Sequence, residues 1–432
     1  MSPAETIRQP NPGASRPIRI TLGLAVLGIA LWYTLVTCTR PSGIGDEGLH
    51  LTVIRALANG DWQPVHNLPM PPTYHLLMAL PARLFGANIA IVRAANALLA
   101  LLAIFLYHLA ARHHHPDYSP HHLLRFACNP LLLPLWVLIY TDLASLLALL
   151  LALNLHLRRH TLLTVAALLL ACLIRQSNLV WVAFFATLTI DDWWRRRNHD
   201  QPTPFHHKLH HLLVAAARQT WPHLLLLLAA AITLTLRGGP VLSTTHENTV
   251  RPNIAQFYLF ALTAGLLWIP LWTRQLPALW TRRIAPTLLR GWGSAAAIAA
   301  VGLLALAFSN PHPWNQDLTY LRNWPLRAMA DLPPARWLLS ALIVVVAAAL
   351  LHATWQSRAR RTLALIWLCS FLFLLPHYLV DPRYFVIPVV LIDFFTPLER
   401  PLAQKLTGWY LLLTLAVATL IACKPGSLSG LW

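Results

Sequence analysis

The stretch ITLGLAVLGIALWYTLVTCTRPSGIGDEGLH, Ile20 to His50, joins an unbroken apolar run to a glycine-rich corner that carries two adjacent carboxylates, Asp46 and Glu47. An apolar run of that length is long enough to cross a bilayer as a helix. The carboxylates stand at its end, in a chain where 11% of residues are charged and Asp and Glu together number 15. Ionisable groups at a membrane edge are costly, so the default reading of this pair is functional.

Outward from this corner, the same pattern repeats. The chain is 57% hydrophobic with a mean hydropathy of +0.54, and apolar runs recur along its 432 residues. This predicts an all-α polytopic membrane protein. The net charge of +18 falls in short Arg clusters between apolar runs, the distribution of the positive-inside rule, and nucleic acid is excluded as a partner. Lysine occurs three times (Lys208, Lys405, Lys424) and no Asn-x-Ser/Thr acceptor is present, which favours a bacterial cytoplasmic membrane over the endoplasmic reticulum. The five cysteines form no CxxC pair and read as small buried apolar residues. The histidine groups His113–His115, His121-His122, His206-His207 and His210-His211 are mixed with Arg and lack carboxylate or Cys partners, so no metal and no other cofactor is expected. No glycine-rich phosphate loop occurs, which argues against nucleotide-driven chemistry.

Charge alternation then predicts a topology. Residues 1–19, with Arg8, Arg16 and Arg19, form a cytoplasmic tail; 20–423 form a single transmembrane domain; 424–432 form a C-terminal tail. The run 20–37 reads as an uncleaved signal anchor that delivers Asp46-Glu47 to the outer, periplasmic or lumenal, side. Segment 38–87 is an outer loop with short interfacial helices at 48–59 and 73–86. Further spans are expected at about 88–111, 122–140, 142–157, 160–174, 178–194, 219–236, 253–272, 287–308 and 335–354, with two around Asp381-Pro382-Arg383-Tyr384 and a last at 407–423. The total is roughly thirteen, with a basic cytoplasmic loop at 195–218 and an outer loop at 309–333. Arg pairs and triplets fall inside; the mixed polar motifs Thr141-Asp142, Arg175-Gln176-Asn178, His246-Glu247-Asn248, Asp317 and Asp381-Arg383 fall outside with Asp46-Glu47.

Each motif carries two readings. Neighbouring carboxylates can divide the work of a general base and a substrate holder, or Asp46 can cap a helix N-terminus with Glu47 favouring its dipole. Arg175 can snorkel to the interface, or with Gln176 and Asn178 it can hold a phosphate, which guanidinium pairs with bidentately. Asp381 and Arg383 can do likewise or form a salt bridge within their corner. Asp142 can act as a helix cap, and His246 can bind a sugar or face solvent.

Taken in order, Asp46-Glu47-x-x-His50, Gly60-Asp61-Trp62, Pro71-Pro72-Thr73-Tyr74, Tyr140-Thr141-Asp142, Arg175-Gln176-Ser177-Asn178, His246 ahead of Pro252–Tyr258, and Pro382-Arg383-Tyr384-Phe385-Val386-Ile387-Pro388 resemble the dolichyl-phosphate-glucose α-1,2-glucosyltransferases. The resemblance spans about 44–395 and lies in the ordered set rather than in any one motif. It implies a C-type glycosyltransferase fold and an inverting transfer of a glucose-like hexose, without a metal, from a polyprenyl- or dolichyl-phosphate donor in the bilayer to a glycan or lipid-linked acceptor. It implies Asp46 as general base and Glu47 as acceptor holder, with the roles exchangeable. Arg175, Arg383, Gln176 and Asn178 would bind the donor phosphate; His50, Asp142, His246, Asp317 and Asp381 would bind acceptor or sugar. From another class, a transporter or flippase of a lipid-linked or small polar substrate also accommodates many helices with buried charges, and predicts inverted repeats with broken midplane spans.

Overall fold

The computed structural model describes residues 15–200, 209–236, 251–279, 281 and 292–423, which contain seventeen α-helices and no strand element. In chain order these are α1 (Ser15–Thr39), α2 (Glu47–Ala58), α3 (Thr73–Phe85), α4 (Ile89–His114), α5 (Pro120–Ala127), α6 (Thr141–Leu157), α7 (Thr161–Ile174), α8 (Leu179–Asp200) and α9 (Leu209–Leu236). They continue with α10 (Ala255–Leu267), α11 (Ile269–Leu279), α12 (Trp292–Ala307), α13 (Trp324–Asp331), α14 (Pro333–Gln356), α15 (Arg360–Leu374), α16 (Val386–Phe395) and α17 (Arg400–Cys423). Among the described residues, five helices are long and apolar enough to cross a membrane: α1, α4, α14, α17 and the Ala216–Leu236 part of α9. Their outward leucines, such as Leu31, Leu228, Leu338 and Leu415, are exposed as lipid-facing positions must be.

The runs expected at 142–157, 160–174 and 287–308 hold the shorter apolar helices Thr141–Leu157, Thr161–Ile174 and Ala295–Ala307, and two further expected spans take another form. The run expected at 253–272 is a pair, α10 and α11, bent by 83° at Trp268; counted as one span it raises the total to six. The run expected at 122–140 is not one helix. After α5 the backbone leaves helical geometry at Cys128-Asn129-Pro130 and continues through a 3-10 turn at Pro134–Trp136 to Tyr140. The prolines withhold N–H donors and break the ladder. Non-helical backbone at this depth requires partners, and buried side chains supply them. Asn129 accepts from Leu131 N at 2.9 Å, Asn96 of α4 donates to Leu135 O and Leu138 O at 2.9 and 2.8 Å, and Glu47 accepts from Ile139 N at 3.0 Å.

Contacts sort the connecting segments to two ends of the bundle. At one end, Arg40 meets Ile421 O, Arg175 meets Asp142, Gln176 meets Pro69 O, Asn253 meets Tyr378 O and Asn315 meets Val380 N. At the other, His113 meets Leu157 O, His156 meets Asp192, Arg361 meets Asp191 and Arg274 meets Glu399. The Arg pairs Arg158-Arg159, Arg195-Arg196 and Arg360-Arg361 adjoin the second, basic end; of the mixed polar motifs, Asp46-Glu47, Thr141-Asp142, Arg175-Gln176-Asn178, Asp317 and Asp381-Arg383 lie at the first.

Candidate functional site

The first end is built on a turn that the glycines allow. Gly43 has φ +87°, and a Cβ there would approach the Ile89 side chain at 3.4 Å and Glu47 Cβ at 3.6 Å. The close turn lets Ile44 N donate to Glu47 Oε2 at 2.9 Å. Glu47 is fully buried. Arg93, in the second turn of α4, donates to it twice, at 3.0 and 2.6 Å, and the Ile139 N–H takes the remaining site. Arg93 also donates to Arg40 O at 2.7 Å. This pair ties the end of α1, the start of α2, α4 and the non-helical segment before α6 into one knot. Every Glu47 oxygen is committed to a hydrogen bond within it.

Asp46, one residue earlier, sits at the N-cap position of α2 but makes no capping bond with its side chain. Its side chain is 55% exposed and accepts from Arg383 Nη2 at 3.0 Å. Arg383 is held by the buried Asp381 at 3.0 and 2.7 Å and lies over the Tyr140 ring at 4.5 Å. Tyr140 in turn accepts from Asp46 N at 3.1 Å and donates to Ile44 O at 3.2 Å, which fixes the backbone that carries the carboxylate. Asp381 also caps its own corner by accepting from Arg383 N and faces Arg322 at 3.3 Å. Burial alone would raise its pKa; Arg383 and Arg322 override that and hold it at about 2.

Beside this cluster, Arg175 pairs with Asp142 and lies 5.2 Å from the Tyr384 ring centre. Asp142 is in the first turn of α6, with Tyr140 rather than Thr141 at the cap position. His50 is buried one turn after Asp46 and meets His75 of α3 at 2.9 Å. Burial and then His75 lower the His50 pKa well below its ordinary value, and burial pushes His75 down to about 4, so both are neutral.

The structure thus gathers Asp46, Asp142, Arg175, Asp381, Arg383 and, behind them, His50. The remaining expected residues lie elsewhere. Asn178 is fully buried and donates to Ser145 and Ala171 O at 2.7 Å each, joining α6 and α7. Gln176 donates to Pro69 O at 2.7 Å, holding the 38–87 loop. Asp317 accepts from Thr319 N at 2.8 Å within its own turn. His246 lies outside the described residues. Two residues that sequence reasoning passed over, Arg93 and Arg322, support the site, and Tyr140, singled out only as part of the Tyr140-Thr141-Asp142 motif, fixes the backbone of Asp46. Among the described residues, no group of three or more His, Cys, Asp or Glu could hold a metal ion.

A half-open carboxylate opposite an arginine whose position a second carboxylate fixes can take a proton from a hydroxyl beside a negatively charged leaving group. The sequence pattern of the DIE2/ALG10 family matches residues 41–394 of the chain. The chain belongs to the DIE2/ALG10 family. The match spans the Asp46 corner through Asp393, so the whole site lies within it, and the dolichyl-phosphate-glucose glucosyltransferase family named by the motif order is the one found. As a DIE2/ALG10 family member, the chain is an integral membrane glycosyltransferase. No curated protein matches the chain. Among solved structures it is similar to ArnT from Cupriavidus metallidurans in the apo state, at 18% identity, with a TM-score of 0.41, over 95% of this chain and 78% of that one.

Proposed function

We propose that this glycosyltransferase moves a hexose from a polyprenyl-phosphate sugar to a hydroxyl of a glycan or lipid-linked acceptor at the end of the bundle that carries Asp46. Asp46 takes the proton of the acceptor hydroxyl as its oxygen attacks the anomeric carbon. The bond from that carbon to the phosphate oxygen breaks, and its electron pair leaves on the polyprenyl phosphate, inverting the centre. Arg383 and Arg175 offset the added negative charge, and Asp142 and Asp381 hold them in place.

The observation that carries this reading is the contrast in access: of two adjacent carboxylates, Asp46 alone is open, and it faces an arginine fixed from behind. The side follows from the charge pattern. Arg pairs cluster at the basic end, which is the cytoplasmic end under the positive-inside rule, so the site end is periplasmic or lumenal. The scarcity of Lys and the absence of an Asn-x-Ser/Thr acceptor favour a bacterial cytoplasmic membrane, with an undecaprenyl-type lipid as carrier. The purified chain in lipid nanodiscs, given radiolabelled undecaprenyl-phosphate hexose and acceptor extract, is expected to release undecaprenyl phosphate and label the acceptor. Absence of hydrolysis-independent transfer with both undecaprenyl and dolichyl donors contradicts the reading.

A further inference from the structure

We propose that Arg322 is a third ligand of the leaving phosphate, paired with Arg383 across Asp381; the inference rests on the donor reading above. Arg322 belongs to the loop between α12 and α13, whose asparagines hold it in shape. Asn323 donates to Trp314 O and Asp317 O at 2.7 and 2.8 Å. Asn315 accepts from Val380 N at 3.2 Å and so fastens the loop to the Asp381 corner. The 3-10 turn Leu321–Asn323 then brings Arg322 to the Asp381 oxygen, Oδ2, that Arg383 also holds.

Two features of this guanidinium point to an anion. First, it is under-bonded. Its side chain is 5% exposed, yet among the described residues its one ion pair is the 3.3 Å approach to Asp381 and its Nε has no hydrogen-bond partner. Asp317 acts on it only through space, being engaged with Thr319. The Tyr320 ring, 4.4 Å away, covers one face, as Tyr140 covers Arg383 and Tyr384 covers Arg175. Buried arginine donors without partners are costly.

Second, the charges do not balance without a ligand once reaction starts. Asp381 serves two arginines, so Arg322, Arg383 and Asp381 together carry one excess positive charge. At rest Asp46 offsets it through Arg383. When Asp46 takes the hydroxyl proton it becomes neutral, and in the same step the donor phosphodiester becomes a phosphate monoester with one further negative charge. The excess on the arginine pair appears as the leaving group acquires its charge. Arg322 and Arg383 both reach Oδ2 of Asp381, at 3.3 and 2.7 Å, so their guanidiniums converge on one point, where a phosphate can take donors from each.

The test is binding of undecaprenyl phosphate, with neutral undecaprenol as control, to purified wild-type, Arg322→Lys and Arg322→Ala proteins, alongside their thermal unfolding. Arg322→Ala is expected to weaken undecaprenyl phosphate binding by about tenfold or more while undecaprenol binding is unchanged. Arg322→Lys, which keeps the charge and loses the planar fork, is expected to fall between the two and to serve where the alanine variant fails to fold. Wild-type binding with no change in either variant overturns the role of Arg322 and leaves the donor reading standing. No phosphate-dependent binding by wild type overturns both.

Discussion

Two arginine–carboxylate pairs stand side by side in this molecule and differ in one respect, access. In Glu47–Arg93 both side chains are fully buried and every Glu47 oxygen is taken. In Asp46–Arg383 the arginine is buried but the carboxylate is half open. Helix geometry explains the divergence, because neighbours at the start of α2 point about 100° apart. Glu47 turns into the bundle, where charge survives only if saturated; Asp46 turns to a half-exposed position. The same chemistry one residue apart therefore makes a saturated buried pair and a half-open one.

The largest effect that would break this comparison lies in the knot. Arg93→Met strands a buried carboxylate and should cost about 3–5 kcal/mol of stability, read as a fall in Tm in detergent; an unchanged Tm would remove Glu47 from its structural role. At the open pair, Arg383→Lys keeps the charge but loses the fork that spans Asp46 and Asp381. Transfer should fall about tenfold to a hundredfold, roughly 1.4–2.8 kcal/mol in the barrier, seen mainly in the rate at saturating donor.

The histidine pair behind Asp46 gives a smaller, pH-dependent effect. With His75 neutral down to about 4 against 6.5 when unfolded, its contribution is present above pH 6.5 and is lost as pH falls towards 4. His75→Phe should flatten the slope of Tm against pH in that window. At the basic end, the exposed Arg274–Glu399 pair should contribute about 0–1 kcal/mol, so Arg274→Ala should leave Tm and transfer almost unchanged.

The sequence made the spans legible where the bilayer dictates composition, as in α1, α4 and α14. It did not reveal that 122–140 is not a continuous helix. The partners that satisfy that backbone, Asn96 and Glu47, come from distant segments. The residues of the site were legible as scarce polar groups at one face. Arg93 was missed because it is a single charge inside the apolar pattern of α4, and its partner is 46 positions away. Arg322 was missed because its meaning depends on a loop whose Asn hydrogen bonds fix it against Asp381. The separation of Asp46 from Glu47 was available from the 3.6-residue helical repeat, but which of them turns inward needed Arg93.

The most direct test of the central claim measures transfer rate and Tm side by side in Asp46→Asn and Glu47→Gln. Asp46→Asn is expected to keep its Tm and lose transfer by about a hundredfold to ten-thousandfold, whereas Glu47→Gln is expected to lose Tm, with activity falling only as the folded fraction falls. Transfer that survives in Asp46→Asn and vanishes in a fully folded Glu47→Gln would contradict the account.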